Sequence, residues 1–138
     1  MLLALPLILR ALRSRSAGTA KPPQAASAGK SPVAELHRRR QSDAIVTDTG
    51  VIVKVLPDDN EGSQHQRFLV EVDHCDVTVK VAHNIDLAPR VPAREGDRLR
   101  FKGEYEWNDL GGALHWTHHD PKQWREGGWI EHEGRRYE

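Results

Sequence analysis

The segment from His115 to Pro121 concentrates side chains that can do chemistry. It holds three histidines and one aspartate, namely His115, His118, His119 and Asp120. Imidazole can bind a metal, move a proton near neutral pH, or donate and accept hydrogen bonds. A carboxylate beside it can set which ring nitrogen carries the proton. This segment is therefore the first candidate for a binding, metal or catalytic site.

Local geometry limits what the segment can do alone. An extended strand would place His115 and His119 about 13 Å apart, whereas zinc holds its nitrogen ligands at about 2.1 Å. One metal therefore requires a turn near His118, of the kind that Asp120-Pro121 favours. We expect a metal site to combine His118 and Asp120 with a distant histidine. The candidates for that histidine are His65, His83 and His132.

Three interpretations of this cluster stay open. It is a hydrogen-bonded polar cluster, a metal or ligand site, or a catalytic site. In the catalytic case His118 is the general base, and Asp120 or Asp86 is the carboxylate that orients it. No serine or cysteine lies in a recognisable nucleophile elbow, so acyl transfer is disfavoured. Attack by water on a phosphodiester-type ester is the reaction to consider.

Period-two alternation indicates the elements that must position these residues. Residues 98–107 show it best, because Leu99, Phe101, Tyr105 and Trp107 alternate with charged side chains. Gly103 takes an inward position, as expected where a strand bends sharply. We predict five strands, at about residues 45–56, 67–72, 77–81, 97–107 and 113–117.

The strand order predicts an all-β fold. Residues 84–94 carry Pro89 and Pro92, so the third and fourth strands are joined by an irregular or helical link. Five short strands with such a link match a small OB-like Greek-key barrel. A single-sheet meander and an SH3-like barrel are the alternatives. Ser31-Pro32 predicts an N-cap and first helical position, so a short helix over residues 32–41 precedes the barrel.

Aromatic and cationic side chains supply candidate ligand contacts. OB barrels stack bases or sugars on aromatic rings. Trp124 and Trp129 lie in the glycine-rich tail and are freer to line a groove than the inward Tyr105 and Trp107. Arg67 can present its guanidinium to an anion.

Charge is distributed unevenly along the chain. Residues 1–41 hold eight Lys/Arg against one acid, which gives about +7, and residues 42–138 hold twelve against nineteen, which gives about −7. The acidic half disfavours strong binding to duplex nucleic acid, which needs clustered cations. A lone Cys75 excludes an internal disulfide.

The first thirty residues are predicted to lie outside the folded domain of residues 31–138. Residues 2–9 form an apolar run of signal-peptide size, followed directly by arginines and by a flexible Ala/Ser/Gly/Pro-rich linker. An export signal and a basic, membrane-proximal tail are both consistent with this pattern. A periplasmic or envelope location follows from the first, with a cytoplasmic one as the alternative, and only this segment would contact a membrane.

Several motifs resemble a bacterial family of small proteins of unknown function. They are HQRF (65–68), AHNIDLAPR (82–90), GEYEW (103–107), HWTHHDP (115–121) and GGWIEH (127–132). The resemblance covers roughly residues 50–137 and implies a compact OB-like barrel, often preceded by an export or membrane segment. It implies no activity and no catalytic residue. Residues 73–76 depart from the family pattern, which has a glycine-bearing turn there.

Two functional hypotheses follow from the sequence. The first is a binding module whose polar groove holds a small or oligomeric ligand. Its predicted lining is His65, Arg67, His83, His115, His118 and Trp129. The second is a small hydrolase with His118 and Asp120 as catalytic residues. A divalent metal held by His118, Asp120 and His83 would be its cofactor.

Overall fold

The structure is a computed structural model that describes residues 30–138. Residues Ser31–Glu138 form one compact unit. Its elements are α1 (Pro32–Arg39), β1 (Ala44–Asp59), β2 (His65–Val72), β3 (Thr78–Asn84), β4 (Arg98–Glu106), β5 (Ala113–His115), β6 (Trp129–His132) and β7 (Arg135–Tyr137). The predicted all-β class with one short helix is confirmed. The predicted count of five strands is wrong, because the tail adds two strands that are too short to show alternation.

The strands form one mixed sheet in the order β1-β2-β3-β5-β4-β6-β7. The neighbours are antiparallel except for β3 and β5, which run parallel. Strand β1 is sixteen residues long, so it pairs with β4 through residues 44–51 and with β2 through residues 50–59. The pairings therefore lead from β1 through β2, β3, β5 and β4 and return to β1.

The core consists of side chains on the alternating inward positions of these strands. The most deeply buried are Ile52, Phe68, Val70, Val79, Val81, Leu99, Phe101, Tyr105, Leu114 and Ile130. The alternation predicted for β2 and β4 is confirmed. A Cβ on Gly103 would collide with the main-chain oxygen of His115, so the missing side chain at this inward position lets β5 approach β4 closely.

Helix α1 begins where the sequence predicts. The Ser31 hydroxyl accepts a hydrogen bond from the Ala34 amide at 2.9 Å and donates one to Asp48 of β1 at 2.7 Å. Pro32 occupies the first turn, and Val33 is fully buried in the core. The N-cap thus starts the helix and also ties it to the sheet.

The fifth strand ends earlier than predicted. It stops at His115, because Trp116 adopts a left-handed conformation with φ of 62°. The chain turns there, and Thr117 is fully buried instead of facing outward. This turn carries the remaining histidines of the segment away from the strand.

The predictions for residues 1–29 lie outside the described residues and stay predictions. No helix within residues 30–138 is long and apolar enough to cross a membrane.

Candidate functional site

His83 is the best-anchored histidine of the predicted site. It lies near the end of β3, and its side chain is fully buried. Its Nδ1 accepts a hydrogen bond from the Thr117 hydroxyl at 2.7 Å, and its Nε2 donates one to the Pro89 carbonyl oxygen at 2.9 Å. Burial lowers the pKa of His83 to about 4, and repulsion from His118 and His65 acts in the same direction. His83 is therefore a neutral imidazole with both nitrogens engaged.

His118 has one engaged nitrogen and one open nitrogen. Its Nδ1 lies 2.6 Å from the His119 carbonyl oxygen, which requires the proton to sit on Nδ1. Only 3 % of the residue is exposed, and no group within residues 30–138 donates a hydrogen bond to its Nε2. Burial lowers the pKa of His118, and repulsion from His119 and His65 adds to the effect. The result is an acceptor nitrogen, on a buried side chain, that has no donor among the described residues.

His65 repeats the arrangement of His118 at the start of β2. Its Nδ1 lies 3.0 Å from the Ser63 carbonyl oxygen, so the Nε2 lone pair is again open. His65 also acts electrostatically on both His83 and His118. The fold thus gathers three of the predicted groove residues, from β2, from β3 and from the segment after β5.

Asp120 holds its own loop in place of orienting His118. Its carboxylate accepts hydrogen bonds from the main-chain amides of Lys122, Trp124 and Arg125 at 2.9–3.0 Å. These amides keep the pKa of Asp120 below its usual range. The predicted catalytic pair of His118 and Asp120 therefore has no hydrogen bond between its members, and the main-chain oxygen of His119 orients the ring.

The predicted metal ligands do not converge. Within the described residues, a single group brings three ligand atoms within 4.8 Å of one another, and it consists of Asp43, Glu104 and Glu106. His115 lies beside this group, 3.6 Å from Glu106, and is not gathered with the other histidines. A hydrogen bond with Asp43 raises the pKa of Glu106, because neighbouring carboxyl groups share a proton more readily than they both ionise.

The other two predicted groove residues point elsewhere. Arg67 donates from Nε to the Pro57 carbonyl oxygen at 2.9 Å. Trp129 is nearly buried on β6, with Arg136 and Arg100 over its ring at 4.0 and 5.0 Å. The predicted groove is therefore divided among separate places on the domain.

A feature not predicted is the apolar cavity beside His118. It has a volume of about 380 Å³, and its lining includes Leu87, Trp116, Pro121 and Trp124. The Trp116 ring lies 4.5 Å from the His118 ring. Trp124 is 80 % exposed, although Asp120 holds its main chain. The sequence does carry a signal for this loop, namely Asp120-Pro121 ahead of Trp124. An aspartate in a turn commonly accepts hydrogen bonds from the main-chain amides that follow it.

A second unpredicted feature is a histidine–carboxylate pair. His132 of β6 is almost fully buried, and its Nε2 lies 2.9 Å from Asp97, a residue 35 positions away. The Arg94 amide and His132 both lower the pKa of Asp97. A cavity of about 390 Å³ adjoins the pair. The orienting carboxylate expected beside His118 is thus found beside His132, and no sequence spacing signals it.

These features define a small all-β domain with buried histidines gathered at strand ends. The chain matches the family model described as protein of unknown function (DUF3465) over residues 18–138, and it belongs to that family. The expected membership in a family of proteins of unknown function is thereby confirmed. No curated protein and no solved structure matches the chain.

Proposed function

We propose that this protein is a binding module that holds an uncharged, ring-bearing ligand such as a sugar unit of an oligosaccharide. The proposed histidine–tryptophan site consists of His65, Leu87, Trp116, His118 and Trp124. Trp116 and Trp124 line the cavity, the His118 ring lies against Trp116, and His65 acts electrostatically on His118. The observation that carries the proposal is the Nε2 of the buried His118 side chain, which has no donor within the described residues.

A buried acceptor without a donor costs about 1–3 kcal/mol. Such groups are rare in folded proteins and each requires an explanation. A hydroxyl of a bound ligand supplies the missing donor, because the proton on Nδ1 leaves Nε2 as an acceptor. His65 offers a second acceptor of the same kind.

The indole rings explain why the ligand is expected to carry rings. Trp124 exposes a large apolar surface beside the cavity, which a ligand ring can cover. Its main-chain amide is fixed by Asp120, so binding loses little conformational entropy. Aromatic faces of this kind stack on bases and sugars.

Charge favours a neutral ligand over a polyphosphate. The folded half of the chain carries about −7, which opposes approach of a polyanion. The nearby cations are already engaged, since Arg125 lies 4.1 Å from the Trp116 ring centre and pairs with Glu104, and Lys122 lies over Trp124. A sugar ring needs hydrogen bonds and a stacking face, and both are present.

We further propose that the strand circuit is an OB-like Greek-key barrel. The pairing of β1 with both β2 and β4 supports closure, and the parallel β3–β5 pair supports that topology. In such a barrel the loops that follow β1, β3 and β5 can meet at one rim. Closure predicts that amide exchange is slow along both edges of β1.

The test is a titration of tryptophan fluorescence with soluble chitohexaose, cellohexaose and maltohexaose. We expect at least one of them to quench the exposed indole. Because Trp124→Ala removes the fluorescent reporter, its affinity is measured by calorimetry, and binding is expected to weaken at least about tenfold, which corresponds to about 1.4 kcal/mol. Leu110→Ala removes an equally exposed apolar side chain elsewhere and is expected to leave binding unchanged.

Two results would contradict the proposal. One is the absence of binding by all three oligosaccharides. The other is tighter binding of a dodecameric oligo(dT) that weakens steeply with salt, since that dependence identifies phosphate contacts.

A second candidate function is hydrolysis, and the His132–Asp97 pair favours it. Asp97 accepts a hydrogen bond from Nε2–H of His132, so the lone pair on Nδ1 is free to take a proton from water. The hydroxide formed attacks phosphorus, the bond to the leaving oxygen breaks, and that oxygen receives the proton from the imidazolium. Bis(4-nitrophenyl) phosphate is the probe. We expect turnover to be lost in His132→Gln and kept in His74→Asn, an exposed histidine; turnover that persists in His132→Gln excludes this site.

A further inference from the structure

The outward face of β1, β2 and β3 combines cations with leucines. The strand register places Lys54, Leu69 and Lys80 directly opposite one another. The next outward row contains Leu56 and Arg67. The intervening inward residues of β2 and β3 are fully buried, so Leu69, Arg67 and Lys80 lie on the solvent face. The pairing of Lys54 with Leu69 and of Leu56 with Arg67 places the two β1 residues beside them. We call this surface the lysine–leucine face.

The cations of this face lack carboxylate partners. Ten ion pairs occur within residues 30–138, and none of them includes Lys54, Arg67 or Lys80. The hydrogen bond with Arg90 lowers the pKa of Asp58 most, and the charge of Arg67 adds a smaller effect, but the ion pair of Asp58 is with Arg90. Cations without a carboxylate partner are unusual in this acidic domain, because most of the other Lys and Arg side chains on its strands form ion pairs.

A preformed apolar cavity lies on the same face. Its volume is about 330 Å³, and its lining includes Leu56, Leu69, Lys80 and Leu110. This volume falls in the range of small-ligand pockets. Leu110 is 87 % exposed, at the tip of the β4–β5 loop.

The loop that carries Leu110 is held by its own hydrogen bonds. The Asn108 side chain accepts from the amides of Leu110 and Gly112, both at 2.9 Å. The Tyr105 hydroxyl donates to the Gly111 carbonyl oxygen at 2.8 Å. An exposed leucine on a fixed turn is a preorganised apolar contact, because little entropy is lost when a ligand covers it.

We infer that the lysine–leucine face binds a monomeric anionic amphiphile, a single apolar chain that ends in a carboxylate or a phosphate. The chain packs against Leu56, Leu69 and Leu110, and the anionic group lies between Lys54 and Lys80. No aromatic ring lines this cavity, so base stacking does not favour a nucleic acid here. The site is separate from the histidine–tryptophan site and does not depend on it.

Calorimetric titration with decanoate, dodecyl phosphate and uncharged decanol, all as monomers, tests the inference. We expect both anions to bind at least about tenfold more tightly than decanol. In Lys54→Gln/Lys80→Gln the anions are expected to bind about tenfold more weakly, while decanol binding is unchanged. Leu110→Ser is expected to weaken all three ligands.

The control is Lys30→Gln/Arg94→Gln, which removes the same net charge from exposed positions outside the face. It is expected to bind like the native protein. Equal losses in both double variants would show that only net charge matters and would overturn the inference. It is also overturned if the anions do not bind, or if the protein floats with anionic phosphatidylglycerol vesicles but ignores the monomers, which indicates a lipid surface as partner.

Discussion

The Thr117 hydroxyl donates a hydrogen bond to Nδ1 of His83 at 2.7 Å, and both side chains are fully buried. This contact joins the end of β3 to the segment that follows β5. It sets the tautomer of His83, because the opposite nitrogen must then donate to Pro89, while burial lowers the pKa and keeps the ring neutral. The stability of the domain should therefore respond to pH and to the loss of this hydroxyl.

Acidification should destabilise the fold through His83. Its pKa is about 4 in the folded protein and 6.5 for an unperturbed histidine, so between these values the unfolded chain binds a proton that the folded chain does not. Stability is complete above pH 6.5 and falls as the pH drops. Between pH 7.5 and 5 the loss is about 2 kcal/mol, and the lowered pKa of His118 acts in the same direction. Urea unfolding at both pH values measures it.

The control for this prediction separates His83 from the other histidines. His83→Gln is expected to be less stable at pH 7.5 but to lose much less between pH 7.5 and 5. His74→Asn alters an exposed histidine and should keep the native dependence. Equal pH dependence in His83→Gln and the native protein would contradict the prediction.

Removal of the Thr117 hydroxyl should lower the free energy of unfolding, because the buried imidazole of His83 then lacks a hydrogen-bond donor. Thr117→Val keeps the shape of the side chain and leaves Nδ1 of His83 without a donor. We expect a loss of about 1–3 kcal/mol in the free energy of unfolding. Thr47→Val, on a half-buried position of β1, should change stability by less than about 0.5 kcal/mol. A similar small change in Thr117→Val would show that the hydrogen bond contributes nothing.

Asp120 should control the order of the Trp124 loop. In Asp120→Ala the amides of Lys122, Trp124 and Arg125 lose their acceptor. Hydrogen exchange at these amides is expected to accelerate, while exchange in β4 stays slow. The matched variant Asp109→Ala, at an exposed loop position, should leave all of these rates unchanged. Unchanged protection in Asp120→Ala would show that other contacts hold the loop.

Gly103 should tolerate no side chain. In Gly103→Ala the new Cβ meets the main-chain oxygen of His115, which can move only if β5 separates from β4. We expect a loss of about 3 kcal/mol or more. Gly62→Ala meets no atom within 4 Å but has φ of 73°, so its cost should be about 1 kcal/mol. Thermal unfolding compares the two, and an equal cost would contradict the close approach of β5.

Local sequence patterns were sufficient to predict much of the strand framework. The alternation in β2 and β4, the N-cap at Ser31 and the inward glycine at position 103 all follow from neighbours in the chain. These features depend on backbone geometry and on which face is buried, and both are visible within ten residues. The sequence does not indicate strands β6 and β7, because segments of four and three residues are too short to show an alternation of apolar and polar side chains.

Patterns within the amino-acid sequence are enough to predict an all-β domain with a short leading helix, the family to which it belongs, and several histidines near strand ends. Which of these histidines contact one another depends on the three-dimensional fold. The left-handed turn at Trp116 sends Thr117 and His118 toward His83 and leaves His115 beside Glu106. The packing of β6 against β4 likewise brings His132 to Asp97, 35 residues away in the chain. These side-chain contacts depend on strand register and on how the strands pair across the domain. Both arise from packing over the whole domain, so no local spacing of residues predicts them.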